Sequence, residues 1–199
     1  MGAVDLSVLI PTTGRRPEIL SRVATRWEWL ARAEGYTIEI LTTSVYTWGE
    51  GCNYLMTRAK GETVALVPDD VLPCEGLYTN AKRDLDHQVM RLGRYFHENG
   101  QPLHEAMDLL EHGCSYPWSR CFMLPTETVL QLGPMIDATW YADIEYSERL
   151  TAAGWRIEAR NGYWFTHLEA PRDWLTDEEE QRSRDLYDTA VRERNLTPW

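Results

Sequence analysis

Two adjacent carboxylates, Asp69 and Asp70, follow an apolar, β-rich run, Thr63–Val67, and sit between Pro68 and Pro73. A buried strand that stops at Pro68 presents both acids at its C-terminal tip. In open α/β sheets, ligands bind beyond the carboxyl ends of the strands. A carboxylate pair at that place suits a hard divalent cation that bridges phosphate oxygens. The same dipeptide also reads as a surface turn whose acids are solvated or cap a helix. The choice between the two depends on the elements around it.

Upstream, Leu6–Ile10 is a short β-type run closed by Pro11. A loop, Thr12 to Arg16, leads to Pro17, which fits the first turn of a helix over 17–33. Ile19, Leu20, Val23, Trp27 and Leu30 share one face of that helix. Gly35 fits its terminator. Thr37–Thr43 reads as a second strand, Ser44–Gly51 as a loop, and Asn53–Lys60 as a short helix ended by Gly61. The third strand is the one that carries the acids. This β-α-β-α-β alternation with short connections favours a parallel sheet with right-handed crossovers.

The second half is less regular. Residues 76–96 and 102–112 are helix-compatible and are separated by a turn at Asn99-Gly100-Gln101-Pro102. Arg120–Leu124 reads as a strand, 126–132 as a helix stopped by Gly133-Pro134, and 142–153 as a helix stopped by Gly154. Trp155–Ala159 and Tyr163–His167 read as the last strands. Thr176-Asp177-Glu178-Glu179 is a capping box that opens a helix to about residue 194. That helix is expected to pack Leu186, Tyr187 and Val191 on the core.

With 199 residues the chain is expected to form one domain, 1–199, its core over about 5–168 and a helical tail over about 169–199. A 43% hydrophobic fraction and nine tryptophans point to a folded globule rather than disorder. No apolar run approaches the roughly 20 residues of a membrane span, and the N-terminus lacks a secretory signal pattern. The expectation is a cytoplasmic protein. Cys52, Cys74, Cys114 and Cys121 form no CxxC pair, so neither a zinc knuckle nor a disulfide framework is indicated. The net charge of −11 argues against a general nucleic-acid binder. An anionic small ligand remains compatible, because a bound metal inverts the local field. Arg22, Arg26 and Arg32 read as a basic strip or as ordinary helix solvation, so a nucleic-acid acceptor stays open without being indicated.

Several stretches in series resemble the family 2 glycosyltransferases, which have a GT-A fold. Leu6-Ser7-Val8-Leu9-Ile10-Pro11-Thr12 resembles their opening strand and loop, with Arg15 and Pro17-Glu18-Ile19-Leu20 following. Asn53, Ala59, Gly61 and Glu62 keep the register of the segment before their DxD-type acids. Phe122–Asp137 is similar to their strand, helix and Gly-Pro-Phe-Asp turn. Ala142-Asp143-Ile144-Glu145, with Arg149-Leu150 and Ala153-Gly154, is similar to their Glu-Asp-x-Asp helix, and Phe165-Thr166-His167 to their terminal histidine. The matches run in order from about residue 5 to 168.

The resemblance implies an α/β, nucleotide-diphospho-sugar transferase fold with a mixed, mostly parallel central sheet flanked by helices. It implies transfer of a sugar, with inversion, from a nucleoside diphosphate donor, a UDP-sugar by family, to an acceptor hydroxyl. A divalent cation, Mn²⁺ or Mg²⁺, would stabilise the departing diphosphate. Asp69 aligns with the last DxD acid and is the candidate direct ligand. His167 is the candidate additional ligand, since neutral imidazole binds transition ions, although a lone histidine also packs structurally. Asp70 is the helper, orienting a neighbour or meeting the metal through water. Asp143 is the candidate general base, a role that its place in a first helical turn suits as well as a plain dipole-favoured acid; Glu145 is the alternative. Pro11, Thr12 and Thr43 are expected against the nucleoside, and Asn53 in the donor site. Arg15 and Arg16 would meet phosphate or solvent, and Trp140 and Tyr141 a sugar or the core.

The chain departs from the family pattern in three places. Val67 replaces the first DxD acid, Thr42-Thr43-Ser44 carries no aspartate for a nucleobase, and Ala142 replaces a glutamate. Two other readings therefore stay open: a non-catalytic nucleotide- or sugar-binding module, and a sugar nucleotidyltransferase. The second would need a glycine-rich phosphate loop, of which Thr12-Thr13-Gly14-Arg15-Arg16 is a poor version.

Overall fold

A computed structural model describes residues 3–44, 47–102, 121–168 and 176–196. The expected β-α-β-α-β half is present as β1 (Val4–Thr12), α1 (Pro17–Glu34), β2 (Ile38–Ser44), α2 (Trp48–Met56) and β3 (Gly61–Leu66). The chain continues through β4 (Val71–Pro73), α3 (Leu77–Leu85), β5 (Val89–His97), β6 (Phe122–Pro125), α4 (Thr126–Leu132), α5 (Ala142–Ala152), β7 (Arg156–His167) and α6 (Asp177–Arg194). The expected helix at 102–112, Cys114 and Arg120 lie outside the described residues.

β1 is the centre of a four-stranded sheet ordered β2-β1-β3-β6. It pairs in parallel with β2, Pro11 opposite Thr43, and with β3, Leu9 opposite Leu66. β6 runs antiparallel to β3, with Phe122 opposite Leu66. Leu6, Val8, Leu9 and Ile10 are all buried, as expected for a parallel strand covered on both faces. α1 covers one side through Val23, Trp27 and Leu30. A second sheet, β4-β7-β5, shares the same core through Val71, Tyr95 and Phe165. The architecture is the expected mixed, mostly parallel α/β arrangement.

Four local expectations are corrected. The first concerns residues 76–96, which are not one helix. α3 ends at Leu85, Gln88 takes a left-handed conformation (φ 54°), and Val89–His97 joins a sheet. Pairing with β7 and burial of Val89, Met90 and Tyr95 outweigh the local helix tendency. Second, the two final strands are one. Its partner shifts register where Ala159 faces Leu92 and Trp164 faces Arg94, so five steps on β7 answer two on β5. That bulge reads as a break in sequence. Third, α2 begins at Trp48, inside the supposed loop, and ends before Lys60. Thr47 caps it by accepting from Glu50 N at 3.1 Å. Gly49 belongs in this helix because a Cβ there would lie 2.0 Å from the carbonyl oxygen of Ile136. Fourth, the residues after the acids form a strand rather than only a turn. Val71 pairs with His167 and Pro73 with Phe165.

Candidate functional site

Asp69 and Asp70 lie in the crossover from the first sheet to the second. Val67 N donates to Leu9 O at 2.9 Å and continues the β1–β3 ladder one residue past β3. Val67, at the position where an acid was expected, is fully buried in the core. A carboxylate on that side chain would face apolar packing. Two residues on, the chain has left the sheet, and Asp69 and Asp70 are still only 5% and 3% exposed. Leu168 N then donates to Asp70 O at 2.7 Å, which fixes the backbone of the acid pair to the end of β7. Acids this buried need partners, so the solvated-turn reading fails.

The partners come from three separate stretches of chain. Thr12, at the tip of β1, donates its hydroxyl to Asp69 Oδ2 at 2.6 Å. Arg16 spans both acids: one guanidinium nitrogen pairs with Asp69 Oδ1 and the other donates to Asp70 Oδ2 at 2.9 Å. His167 Nε2 lies 3.7 Å from the same Asp70 oxygen. The β4–β7 register, Val71 opposite His167, is what delivers this imidazole to the acids. Arg16 is placed as firmly as the rest. It is the residue before α1, its carbonyl accepts from Leu20 N at 3.0 Å, and Pro17 follows as the first helical residue.

The other expected site residues fall at the strand tips and along the seam between α2 and the loop after α4. Pro11 is buried in β1 opposite the half-buried Thr43, which places both at the C-terminal edge of the parallel strands. Arg15 is exposed beside Arg16. Asn53 gives its carboxamide to the loop after α4. Its Nδ2 donates to Met135 O at 3.0 Å and its Oδ1 accepts from Met135 N at 2.8 Å. The asparagine thus clips residues 133–141 onto α2. Gly49 N donating to Ala138 O at 3.0 Å, and the Thr47 hydroxyl donating to Asp137, complete that seam.

The clipped loop leads to Trp140 and Asp143. Trp140 is half-buried, and among the described residues its indole nitrogen has no hydrogen-bond partner. Tyr141 takes a left-handed conformation (φ 66°) just before α5, a strained choice for a bulky residue. Asp143 is 4% exposed in the first turn of α5, and its Oδ1 accepts from Ile144 N at 3.0 Å. Burial chiefly, with the Asp143 charge adding to it, pushes the Cys52 thiol well above its ordinary pKa. An aromatic row, Trp48–Phe122–Tyr146, each step 6.2 Å between ring centres, ties α2, β6 and α5 together. Because Phe122 is opposite Leu66, the row sits at the same end of β3 as the acids.

Glu145, the alternative base, has a different occupation. It is fully buried and accepts from Arg149 Nη2 at 3.0 Å and from Arg194 of α6. Arg22, Arg26 and Arg32 do not form a free basic strip. They pair with Glu98, Glu75 and Glu28 at 2.6, 3.9 and 3.2 Å. Sequence reasoning favoured Arg15 for the site, whereas Arg16 is the one that meets both acids. The available signal was Pro17, which fixes its predecessor at the helix entry facing the strand tips.

The donor set suits a divalent cation in kind. Two carboxylates and an imidazole match a borderline ion such as manganese, and a cationic guanidinium already stands between the carboxylates. Among the described residues, no three acidic, histidine or cysteine side chains converge tightly enough to hold a metal.

No protein-family model matches the chain, and no curated protein matches it in sequence. Solved structures do match it in fold. The catalytic domain of Drosophila beta1,4-galactosyltransferase 7, complexed with xylobiose, superposes with a TM-score of 0.60 at 13% identity, over 91% of this chain and 79% of that one. A mutant of that enzyme, complexed with manganese, UDP-Gal and xylobiose, gives 0.63 at 14% identity with the same coverage. S. aureus TarS in complex with UDP-GlcNAc gives 0.63 at 12% identity, over 94% of this chain and 66% of that one. The fold is the GT-A fold.

Proposed function

We propose that this chain is a nucleotide-sugar-dependent, inverting glycosyltransferase that works with a divalent cation. The observation that carries the reading is the convergence of Thr12, Arg16, Asp69, Asp70 and His167 at the carboxyl end of β3. That is where an α/β sheet of this order binds its ligand. Neighbours of the same fold are complexed with UDP-Gal and UDP-GlcNAc, which supports a UDP-sugar donor here. The xylobiose complex supports a sugar hydroxyl as acceptor.

Asp69 and His167 would hold the metal, with Asp70 as helper. The cation, when bound, supplies Lewis-acid stabilisation to the departing diphosphate. Pro11, Thr12 and Thr43 line the nucleoside side, Arg15 and Arg16 the phosphate side, and Asn53 positions the loop that closes the site. Trp140 offers an indole face and an N–H to a sugar. Asp143 takes the proton of the acceptor hydroxyl as its oxygen forms a bond to the anomeric carbon. The bond from that carbon to the diphosphate breaks on the opposite face, and the electron pair leaves with the phosphate oxygen. Among the described residues no helix is long and apolar enough to cross a membrane. Cys52, Cys74 and Cys121 are buried free thiols, which suits a cytoplasmic setting.

The test is thermal unfolding with a panel of UDP-sugars with and without Mn²⁺, followed by donor hydrolysis. A donor that binds only the folded state raises its unfolding temperature. Stabilisation and hydrolysis should both need the metal, and both should be lost in Asp69→Asn. No stabilisation and no turnover with any donor would end the proposal. A second reading, a binding module without catalysis, draws support from Val67, whose burial removes the first expected acid. It predicts donor stabilisation with no turnover.

A further inference from the structure

We infer that Arg16 is an internal counter-cation for Asp69 and Asp70 that competes with a divalent metal for them. Metal binding is then coupled to donor binding, because the diphosphate must take the guanidinium that the metal displaces. The inference rests on the transferase reading and adds to it a role for one residue.

The oxygens a metal would need are already engaged. Asp69 Oδ1 holds one Arg16 nitrogen, Asp69 Oδ2 accepts from the Thr12 hydroxyl at 2.6 Å, and Asp70 Oδ2 accepts from the other Arg16 nitrogen at 2.9 Å. All three side chains of the pairing are largely withdrawn from water: the arginine is 12% exposed and the two carboxylates 6% and 4%. Two carboxylates this close and this dry repel one another unless a cation stands between them. The planar guanidinium fork can serve both at once, which a lysine cannot.

A divalent ion on Asp69 would sit against that guanidinium, and like charges at such range in a buried site are strongly unfavourable. Metal and Arg16 therefore exclude one another at the acids. The backbone of Arg16 is fixed as the entry residue of α1, so only the side chain has to swing. An anion arriving with the metal gives the freed guanidinium a new partner, and bidentate phosphate recognition is what an arginine fork does well. Without that anion, metal binding strands a buried cation. With it, both charges are satisfied.

The experiment is a titration of Mn²⁺ followed by electron paramagnetic resonance, with and without UDP, on the full chain and on Arg16→Gln. In the parent protein UDP should tighten Mn²⁺ binding by about tenfold or more. Arg16→Gln should bind Mn²⁺ without nucleotide at least about tenfold more tightly than the parent, and UDP should then add little. An unchanged or weaker Mn²⁺ affinity in Arg16→Gln overturns the inference. If that variant does not fold, Arg16→Met carries the test. Methionine removes the charge on an unbranched side chain and should bind Mn²⁺ more tightly than the parent; equal or weaker binding is the overturning result. No Mn²⁺ binding to any variant with UDP present overturns the metal assignment and this inference together. Intact coupling without sugar transfer overturns only the reaction.

Discussion

Asp143 and Glu145 are two residues apart on one helix, and both are buried, yet their surroundings separate their roles. Glu145 is enclosed by Arg149 and Arg194. A carboxylate paired with two guanidinium groups is a poor proton acceptor, because the nearby positive charges favour its ionised form. Asp143 stands two residues earlier, just after the loop that carries Trp140, and its Oδ1 accepts from the neighbouring amide of Ile144. Asp143→Asn keeps the shape of the side chain and removes its basicity. Transfer should fall by roughly 10²–10⁴-fold, while the donor-induced rise in unfolding temperature stays as in the parent. Transfer near the parent rate would remove Asp143 from the base role.

At the scale of elements, the site depends on how closely the 133–141 loop lies against α2. Gly49 sets that distance. A Cβ there would meet the Ile136 carbonyl oxygen at 2.0 Å and the Ala138 nitrogen at 3.2 Å. Both are backbone atoms and cannot rotate away. Gly49→Ala should cost about 1–3 kcal/mol in urea unfolding. It should also lower transfer more than donor binding, because the loop leads to Trp140 and Asp143 while the acids are held from β1, β3 and β7. Equal losses in both would place the loop on the donor side instead. The helix over Gly49 was not legible in sequence, since two glycines in four residues signal a loop and the contact that requires one of them is 87 residues away. The opposite holds for β1, α1 and β2, where proline, glycine and apolar spacing agree with the final packing. That His167 comes to the acids was legible because their order along the chain matches a known pattern; the bond from Thr12 to Asp69 was not, since Thr12 was expected against the nucleoside. Residues 89–97 were not, since their strand exists only by pairing with β7. Neither was the pairing of Arg16 with both acids, which depends on the side of the helix entry that faces them.

Across the whole molecule, α6 braces the start of α5, far from the acids in sequence. Ser183 Oγ accepts from Trp140 N at 3.3 Å, the Thr139 hydroxyl donates to Glu179 at 3.0 Å, and Arg184 donates to the Tyr141 hydroxyl at 2.7 Å. The Tyr141 and Tyr187 rings lie 5.6 Å apart. These contacts hold the left-handed Tyr141 and the turn it makes into Asp143. Arg194 reaches Glu145, 49 residues away. Burial pulls both Arg149 and Arg194 below the ordinary arginine pKa, the direction expected when charge is withdrawn from water. Removing the carboxylate leaves two guanidinium groups facing one another without their shared partner. Breaking a buried pair in this way costs about 3–5 kcal/mol, somewhat less here because Arg194 keeps part of its surface in water. Glu145→Gln should therefore lower the urea midpoint sharply. Assayed at a temperature where the variant is still folded, its transfer rate should stay within several-fold of the parent. The two readouts separate the two roles this residue was open to. A stable variant that transfers no sugar would make Glu145 the base and Asp143 a helix-start acid. A variant that unfolds early but transfers normally makes the tail helix a brace, which holds Thr139–Tyr141 and the left-handed turn before Asp143.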